Sequence, residues 1–108
     1  MSRFELDTTT LGPAALVTLR GELDMLATAQ LESALERLTD EVIALDLRDL
    51  LFLDSAGLRT ILLVRDRLSD QERRLVLVRG GRAVQRVFEL TRTTERLEFV
   101  DAPEHVHT

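Results

Sequence analysis

The segment VIALDL, from Val42 to Leu47, limits the fold of this chain more than any other stretch. Its residues are apolar on both faces of a potential strand until Asp46. Such a strand is stable when both of its faces are covered, as in the centre of a largely parallel sheet. We therefore predict that Val42–Leu47 forms a central strand that is covered on both sides.

Four other segments have patterns that are typical of strands bounded by turn residues. Arg3–Thr9 alternates in polarity and is followed by the breaker LGPAA, so Ala15–Arg20 is predicted to be its hairpin partner. The segment GELD, Gly21–Asp24, is predicted to end that second strand. The other two predicted strands are Leu75–Val78, which RGG ends, and a last edge strand containing Leu97, Phe99 and Val100.

Three segments repeat apolar residues with the period of an α-helix. Their apolar positions are Ala27, Leu31, Ala34, Leu35 and Leu38, closed by Thr39 and Asp40; Leu58, Ile61, Leu62, Val64 and Leu68; and Ala83, Val84, Val87 and Phe88. The predicted order is β-β-α-β-α-β-α-β, which indicates an α/β fold with a mixed, mostly parallel sheet and an antiparallel edge formed by the first hairpin. The 108 residues predict a single domain over residues 1–108, in which the tail DAPEHVHT either begins a helical turn or is disordered.

The composition excludes several classes of function. The net charge of −5 argues against direct binding of nucleic acid, which requires a basic surface. The chain has no cysteine and no lysine, which removes thiolate metal sites, Schiff bases and lysine-dependent phosphate loops. The sequence contains no run of about 18 apolar residues, so we expect no insertion into a membrane. Its first segment, MSRFELDTTT, lacks the apolar core of a signal peptide. A cytoplasmic location is the default expectation.

The segment FLDSAGLRTILL, Phe52–Leu63, joins a hydrophobic stretch directly to a helical pattern. Asp54 and Ser55 are residues that favour helix caps, so the junction is either a plain cap or a functional serine at a helix N-terminus. A phosphate on Ser55 would meet unpaired backbone N–H groups and the positive end of the helix dipole. Adjacent Asp54 would repel that phosphate, so phosphorylation would change the local charge sharply.

An enzymatic function at the same junction would require residues that the sequence lacks. LDSAG does not match the G-x-S-x-G turn of serine hydrolases, and the only histidines, His105 and His107, lie in the last four residues. RGGRAV, from Arg79 to Val84, has neither the G-x-G-x-x-G spacing nor a lysine, so it indicates a glycine-assisted turn rather than a phosphate loop. We therefore predict no catalytic residue.

Acidic residues offer a further alternative. Asp24, Asp46 and Asp54 are each predicted near the end of a strand, where three carboxylates could hold Mg²⁺ in a crevice of the sheet. Asp24 and Asp54 can equally be helix caps. The pair His105 and His107 could bind a metal ion at spacing i, i+2, although such a pair is more often an exposed feature of a tail. On balance we predict no metal site and no cofactor.

Three motifs together resemble the STAS domain, and in particular the stand-alone bacterial anti-sigma factor antagonists. They are GELD at Gly21–Asp24, LDSAGL at Leu53–Leu58 and RAVQRVFELT at Arg82–Thr91, and the resemblance covers nearly the whole chain. It implies that Ser55 is the phosphoacceptor. Ala56 stands where many relatives have a second hydroxyl residue. TRTTER, Thr91–Arg96, lacks the glycine that relatives often carry there.

The resemblance also implies partners and a mechanism. The partner would be an anti-sigma factor that is also a serine kinase; the unphosphorylated antagonist would bind it and free a sigma factor, and a PP2C-type phosphatase would reset the cycle. The chain would then be a substrate and a switch in the regulation of transcription, not an enzyme. Two alternatives stay open: a STAS subunit that docks on the ATPase of a lipid-transport ABC complex, and a small-ligand or anion sensor with its site near Asp24 and Asp54.

A partner surface follows from the need for Ser55 to enter a kinase active site. Residues three, four and seven apart share one face of a helix, so Ala56, Arg59, Thr60, Leu63 and Arg67 are predicted to line an exposed face. Leu63 is an apolar residue among polar ones, and is either an ordinary exposed leucine or an interface anchor. The predicted partner-binding residues are Glu22, Asp24, Asp54, Ala56, Gly57, Arg59, Thr60 and Leu63.

Overall fold

The computed structural model describes residues 3–107 as an α/β domain. Its strands are β1 (Phe4–Leu11), β2 (Ala14–Leu23), β3 (Val42–Leu53), β4 (Arg74–Val78) and β5 (Glu98–Val100). Its helices are α1 (Thr28–Glu36), α2 (Ser55–Asp70) and α3 (Arg82–Leu90), and short 3₁₀ turns lie at Thr94–Arg96 and Pro103–His105. The predicted order of strands and helices is confirmed.

The five strands form one sheet in the order β1-β2-β3-β4-β5. β1 and β2 are an antiparallel hairpin, and every later neighbouring pair is parallel. Parallel neighbours require a crossover connection, which α1, α2 and α3 supply in turn. The predicted mixed sheet, with its antiparallel edge, is therefore confirmed, and β3 lies at its centre.

All three helices contribute to one hydrophobic core on one face of the sheet. Side chains of β3 that point to this face include Ile43, Leu45 and Leu47, all fully buried. The helices contribute Leu31 and Leu35 from α1, Leu58, Ile61, Val64 and Leu68 from α2, and Val84 and Phe88 from α3. Ala83, which the periodicity placed on the apolar face of the third helix, is exposed, and α3 contacts the core through Val84, Val87 and Phe88 instead.

The opposite face of the sheet is covered by the C-terminal segment rather than by a helix. Ala14, Val42 and Val76 form a second buried cluster, against which Val106 packs. Pro103 is buried, and the Arg74 guanidinium donates a hydrogen bond of 2.6 Å to the carbonyl oxygen of His107. The tail thus supplies the second cover that the VIALDL strand requires, and it forms the helical turn that was one of its two expected states.

The second and third strands extend further than the sequence indicated. GELD was predicted to end β2, but Gly21, Glu22 and Leu23 continue it and pair with the last residues of β3. Gly21 adopts a φ of +90°, and a Cβ there would collide with the carbonyl oxygen of Arg3, so only glycine suits this position. Because β3 runs on to Leu53, Asp46 lies inside the strand, and its predicted place at a strand end was wrong.

Candidate functional site

Ser55 is the first residue of α2 and is exposed at the mouth of a cleft between α1 and α2. The cleft has a volume of about 530 Å³. Its lining residues are Met25, Thr28, Glu32, Ser55, Ala56, Arg59, Thr60 and Leu63. Four of the residues that the sequence predicted for the site therefore come together with Ser55: Ala56, Arg59, Thr60 and Leu63.

Asp54 fixes the backbone on both sides of this cleft. One oxygen of its carboxylate accepts a hydrogen bond of 2.8 Å from the Gly57 N–H, which is a helix N-cap. Its other oxygen accepts one of 3.2 Å from the Met25 N–H, in the segment between β2 and α1. A single carboxylate thus connects the start of α2 to the segment that carries Met25.

Asp24 organises the start of α1 in a similar way. Its Oδ1 accepts hydrogen bonds from the N–H groups of Leu26, at 3.0 Å, and Ala27, at 3.2 Å. Asp54 is therefore the helix cap that the sequence suggested, whereas Asp24 is not: the N-cap of α1 is Ala27, and the Asp24 carboxylate holds the turn that precedes the helix. Glu22 is the residue before Leu23 in β2, and its Oε2 is 3.4 Å from Nη1 of Arg3. Glu22 does not line the cleft.

Gly57 is buried, which corrects its expected place on the partner surface. A Cβ at this position would collide with the carbonyl oxygen of Leu23 and lie 2.8 Å from Cδ1 of Leu53. The glycine allows α2 to start close against the end of β2, and so it positions Ser55 without being accessible itself.

Thr60 was predicted on the exposed face of α2, and this prediction was wrong. Only 5% of Thr60 is exposed, because it lies at the base of the cleft where α1 faces α2. Arg59, Leu63 and Arg67 are exposed as predicted, and Leu63 remains an apolar side chain that is 47% exposed.

Four exposed apolar side chains near Ser55 were missed by the sequence analysis. Met25 and Leu26 precede α1 and are 71% and 88% exposed, and Leu51 and Phe52 near the end of β3 are 74% and 47% exposed. In β3 the register shifts between the pairs Gly21–Leu50 and Glu22–Phe52, so Leu51 is an extra residue. This bulge breaks the alternation of the strand and leaves two adjacent apolar residues exposed. The apolar run LLFL, Leu50–Leu53, was the feature of the sequence that could have indicated these exposed apolar residues.

Of these side chains, Met25 lines the cleft together with Leu63, Leu26 follows Met25, and Leu51 and Phe52 lie shortly before Asp54 in the chain. We call the set Met25, Leu26, Leu51, Phe52 and Leu63 the apolar rim. Within residues 3–107, the rim includes all of the large apolar side chains that are exposed except Leu90. Exposed apolar side chains beside an accessible cleft, as Met25 and Leu63 are, are typical of an interaction site.

The other candidate sites are distributed elsewhere in the fold. Asp46 is buried and bonded to Arg48, with Nη2 of the guanidinium 2.8 Å from Oδ2. Burial raises the pKa of Asp46, but the hydrogen bonds from the Arg48 side chain and backbone and its charge outweigh this and lower that pKa below its ordinary value. Within residues 3–107, no three His, Cys, Asp or Glu side chains form a group able to hold a metal ion, so Asp24, Asp46 and Asp54 do not share a crevice.

The glycine turn and the tail histidines also have plain structural positions. Gly81 is the N-cap of α3, and the Gly80 N–H donates a hydrogen bond of 2.9 Å to Oε1 of Gln85, so RGGRAV is a turn that starts a helix. His105 and His107 are both exposed in the tail. In the part of the chain that the structure describes, no helix is long and apolar enough to cross a membrane.

Comparisons with known proteins agree with this fold. The family model of the STAS domain matches residues 5–105. An anti-sigma factor antagonist from Mycobacterium paratuberculosis superposes with a TM-score of 0.78 at 21% identity, covering 92% of this chain and 86% of its own. The anti-sigma factor antagonist SpoIIAA in its unphosphorylated form gives a TM-score of 0.77 at 20% identity, covering 93% and 91%.

A second structure of SpoIIAA, a Bacillus cell fate determinant in its phosphorylated form, gives a TM-score of 0.65 at 19% identity and covers 93% of this chain and 95% of that chain. The comparison with curated proteins finds no match. At these identities the solved structures establish the fold.

Proposed function

Because this chain belongs to the STAS domain family, we propose that it is an anti-sigma factor antagonist controlled by phosphorylation of Ser55. Its partner is an anti-sigma factor that is also a serine kinase. The unphosphorylated chain binds that partner, releases a sigma factor and so regulates transcription. A PP2C-type phosphatase restores the unphosphorylated form. The chain is a cytoplasmic substrate in this cycle, not an enzyme.

The observation that carries the proposal is an exposed serine in a cleft that is also lined by the exposed apolar side chains of Met25 and Leu63. Ser55 is accessible at the start of α2, and Met25, Leu51 and Leu63 of the rim are exposed beside the same cleft or on the strand that leads to it. A kinase that modifies Ser55 must cover these neighbours. The rim supplies apolar area for binding, and the hydroxyl supplies the point of control.

The electrostatics around Ser55 suit a switch. A phosphate adds about −1.5 to −2 charges directly beside Asp54, whose carboxylate already occupies the Gly57 N–H. The new charge would also lie in the middle of an apolar interface, where desolvation is costly. A 100-fold loss of affinity needs only about 2.7 kcal/mol, which these two effects can supply together. Solved structures of the similar protein SpoIIAA in unphosphorylated and phosphorylated forms support this reading.

The test is phosphorylation by candidate anti-sigma kinases with ATP, followed by mapping of the modified peptide. We expect phosphate on Ser55 alone. Thr60 is buried, and the Thr28 hydroxyl donates a hydrogen bond of 3.1 Å to the carbonyl oxygen of Met25, so both serve as internal controls. Phosphate on Thr28 or Thr60 with Ser55 unmodified would refute the proposal.

Binding measurements with Ser55 variants complete the test. Ser55→Ala should bind the partner constitutively, whereas Ser55→Glu should bind weakly, although a carboxylate only partly imitates a phosphate dianion. Binding of the chain to the ATPase of a lipid-transport ABC complex, with no dependence on Ser55, would favour the alternative role of a transporter subunit.

A further inference from the structure

A second cleft, of about 430 Å³, lies at the opposite end of the sheet from Ser55. It is formed by the end of α2, the start of β4, and the segment from the Thr94–Arg96 turn to the start of β5. Its lining residues are Arg65, Ser69, Arg73, Arg74, Leu75, Glu95, Arg96, Leu97 and Glu98. Ser69 is 14 residues after Ser55 along α2, about 21 Å at the rise of an α-helix, so the two clefts are separate.

The charge of this cleft is opposite to that of the chain. Four arginines and two glutamates line it, whereas the whole chain has a net charge of −5. Clustering of cationic side chains on an acidic protein creates a local potential that attracts anions. Arginine is suited to oxyanions in particular, because its planar fork of N–H groups matches the spacing of phosphate or carboxylate oxygens.

Two of these guanidinium groups have charges that no carboxylate of residues 3–107 neutralises. Arg73 is half-buried and donates hydrogen bonds to the carbonyl oxygens of Leu38, at 2.8 Å, and Asp40, at 2.9 Å, and to Oε1 of Gln71. All three acceptors are uncharged, so the group is held rigidly while its charge is retained. Arg96 is exposed and has no side-chain partner within the described residues.

The other charged groups that line the cleft leave its net charge positive. Arg74 is paired with Glu98, and its Nη1 donates to the His107 carbonyl oxygen, while Arg65 is paired with Asp66 at 3.0 Å. Glu95 is the one lining carboxylate without such a pair among residues 3–107. The negative end of the α2 dipole is weakened here, because the N–H groups that follow the helix already bond the carbonyl oxygens of Leu68 and Ser69.

We propose that this arginine cleft binds a small phosphate-class oxyanion with two or more negative charges, either free or as the phosphate groups of a nucleotide. Arg73 supplies a fixed positive charge, Arg96 an unoccupied guanidinium fork, and Ser69 a hydroxyl. The site is independent of phosphorylation at Ser55 and goes beyond the proposed function.

Isothermal titration with sodium pyrophosphate and, separately, with ADP tests the proposal at low salt. We expect saturable 1:1 binding, weakened at least about tenfold by Arg96→Ala, as for the loss of a hydrogen bond to a charged group. Arg73 is not replaced, because its hydrogen bonds to Leu38 and Asp40 hold the fold. Equal affinity for the two probes would place recognition in the phosphates alone, and tighter binding of ADP would identify a nucleotide.

Arg86→Ala is the matched control, because Arg86 is an exposed arginine of α3 outside the cleft. It should change the affinity by less than about twofold. Ser55→Ala should also leave pyrophosphate binding unchanged, which separates this test from that of the proposed function. Absence of saturable binding of both probes up to about 10 mM, or equal weakening by Arg86→Ala and Arg96→Ala, would overturn the proposal.

Discussion

Gly57 shows how a single residue without a side chain positions the candidate site. Because a Cβ at this position would collide with the Leu23 backbone, we expect Gly57→Ala to lower the free energy of unfolding by about 1–3 kcal/mol. Urea denaturation measures this. Gly81→Ala, where a Cβ would meet nothing within 4 Å, is the control. Equal losses for the two variants would contradict the close packing of Gly57 against Leu23.

Leu63 tests the apolar rim at the same scale. We expect Leu63→Glu to weaken binding to the anti-sigma partner by about 1–3 kcal/mol, because it puts a charge in an apolar contact, and to leave stability within about 0.5 kcal/mol. Asp24→Ala should weaken binding as well, by freeing the segment that carries Leu26.

Leu90→Glu is the matched control for the rim, since Leu90 is 69% exposed on α3, away from the cleft. Arg37→Ala, in the exposed residue that follows α1, should also have little effect. Calorimetry that found full-strength binding by Leu63→Glu and Asp24→Ala, but a loss with Leu90→Glu or Arg37→Ala, would place the partner on another surface.

At the scale of the element, the start of α2 depends on one side chain, that of Asp54. Asp54→Ala removes the hydrogen bonds to the N–H groups of Gly57 and Met25, and we expect a loss of about 0.5–2 kcal/mol in the free energy of unfolding. Amide hydrogen exchange should accelerate at Gly57 and Met25 together. The control is Asp66→Ala, which removes only a pair between exposed side chains. Unchanged exchange at Met25 would show that Asp54 does not hold the two segments.

β3 contains an ion pair between buried Asp46 and exposed Arg48, which should make the stability of the fold sensitive to acid. The folded state lowers the pKa of Asp46, so its stabilising contribution is present above the unfolded pKa of about 3.9 and is lost as pH falls through the folded value. We expect Asp46→Asn to cost about 1–2 kcal/mol at pH 7 and the difference from the parent chain to shrink below about pH 4. A difference that stayed constant down to pH 2 would contradict this assignment.

For the whole molecule, the tail is expected to act as part of the core. Val106 packs on the second face of the sheet against the cluster that contains Val42 and Val76, so Val106→Asp should lower the free energy of unfolding by about 1–3 kcal/mol. His105→Asp, at an exposed neighbour, should change it by less than about 0.5 kcal/mol. Chemical denaturation of both variants decides whether the tail stabilises the sheet.

The order of strands and helices could be predicted because it depends on local periodicity. The apolar faces of α1 and α2, and the strand VIALDL with apolar residues on both faces, follow directly from the spacing of the apolar residues that folding buries. The segment LDSAGL placed Ser55 at a helix start, because cap preferences and small residues are also local properties. Sequence alone therefore determined the mixed sheet, its antiparallel edge and the position of Ser55.

Only the tertiary structure decided what surrounds Ser55. Thr60 lies on the polar side of α2 in sequence, yet α1 packs beside it and buries it. Leu51 and Phe52 are apolar, yet a bulge between β2 and β3 leaves them exposed. The arginine cleft likewise joins residues from α2, β4 and β5. Exposure and charge clustering depend on contacts between segments distant in sequence, so local periodicity could not reveal them.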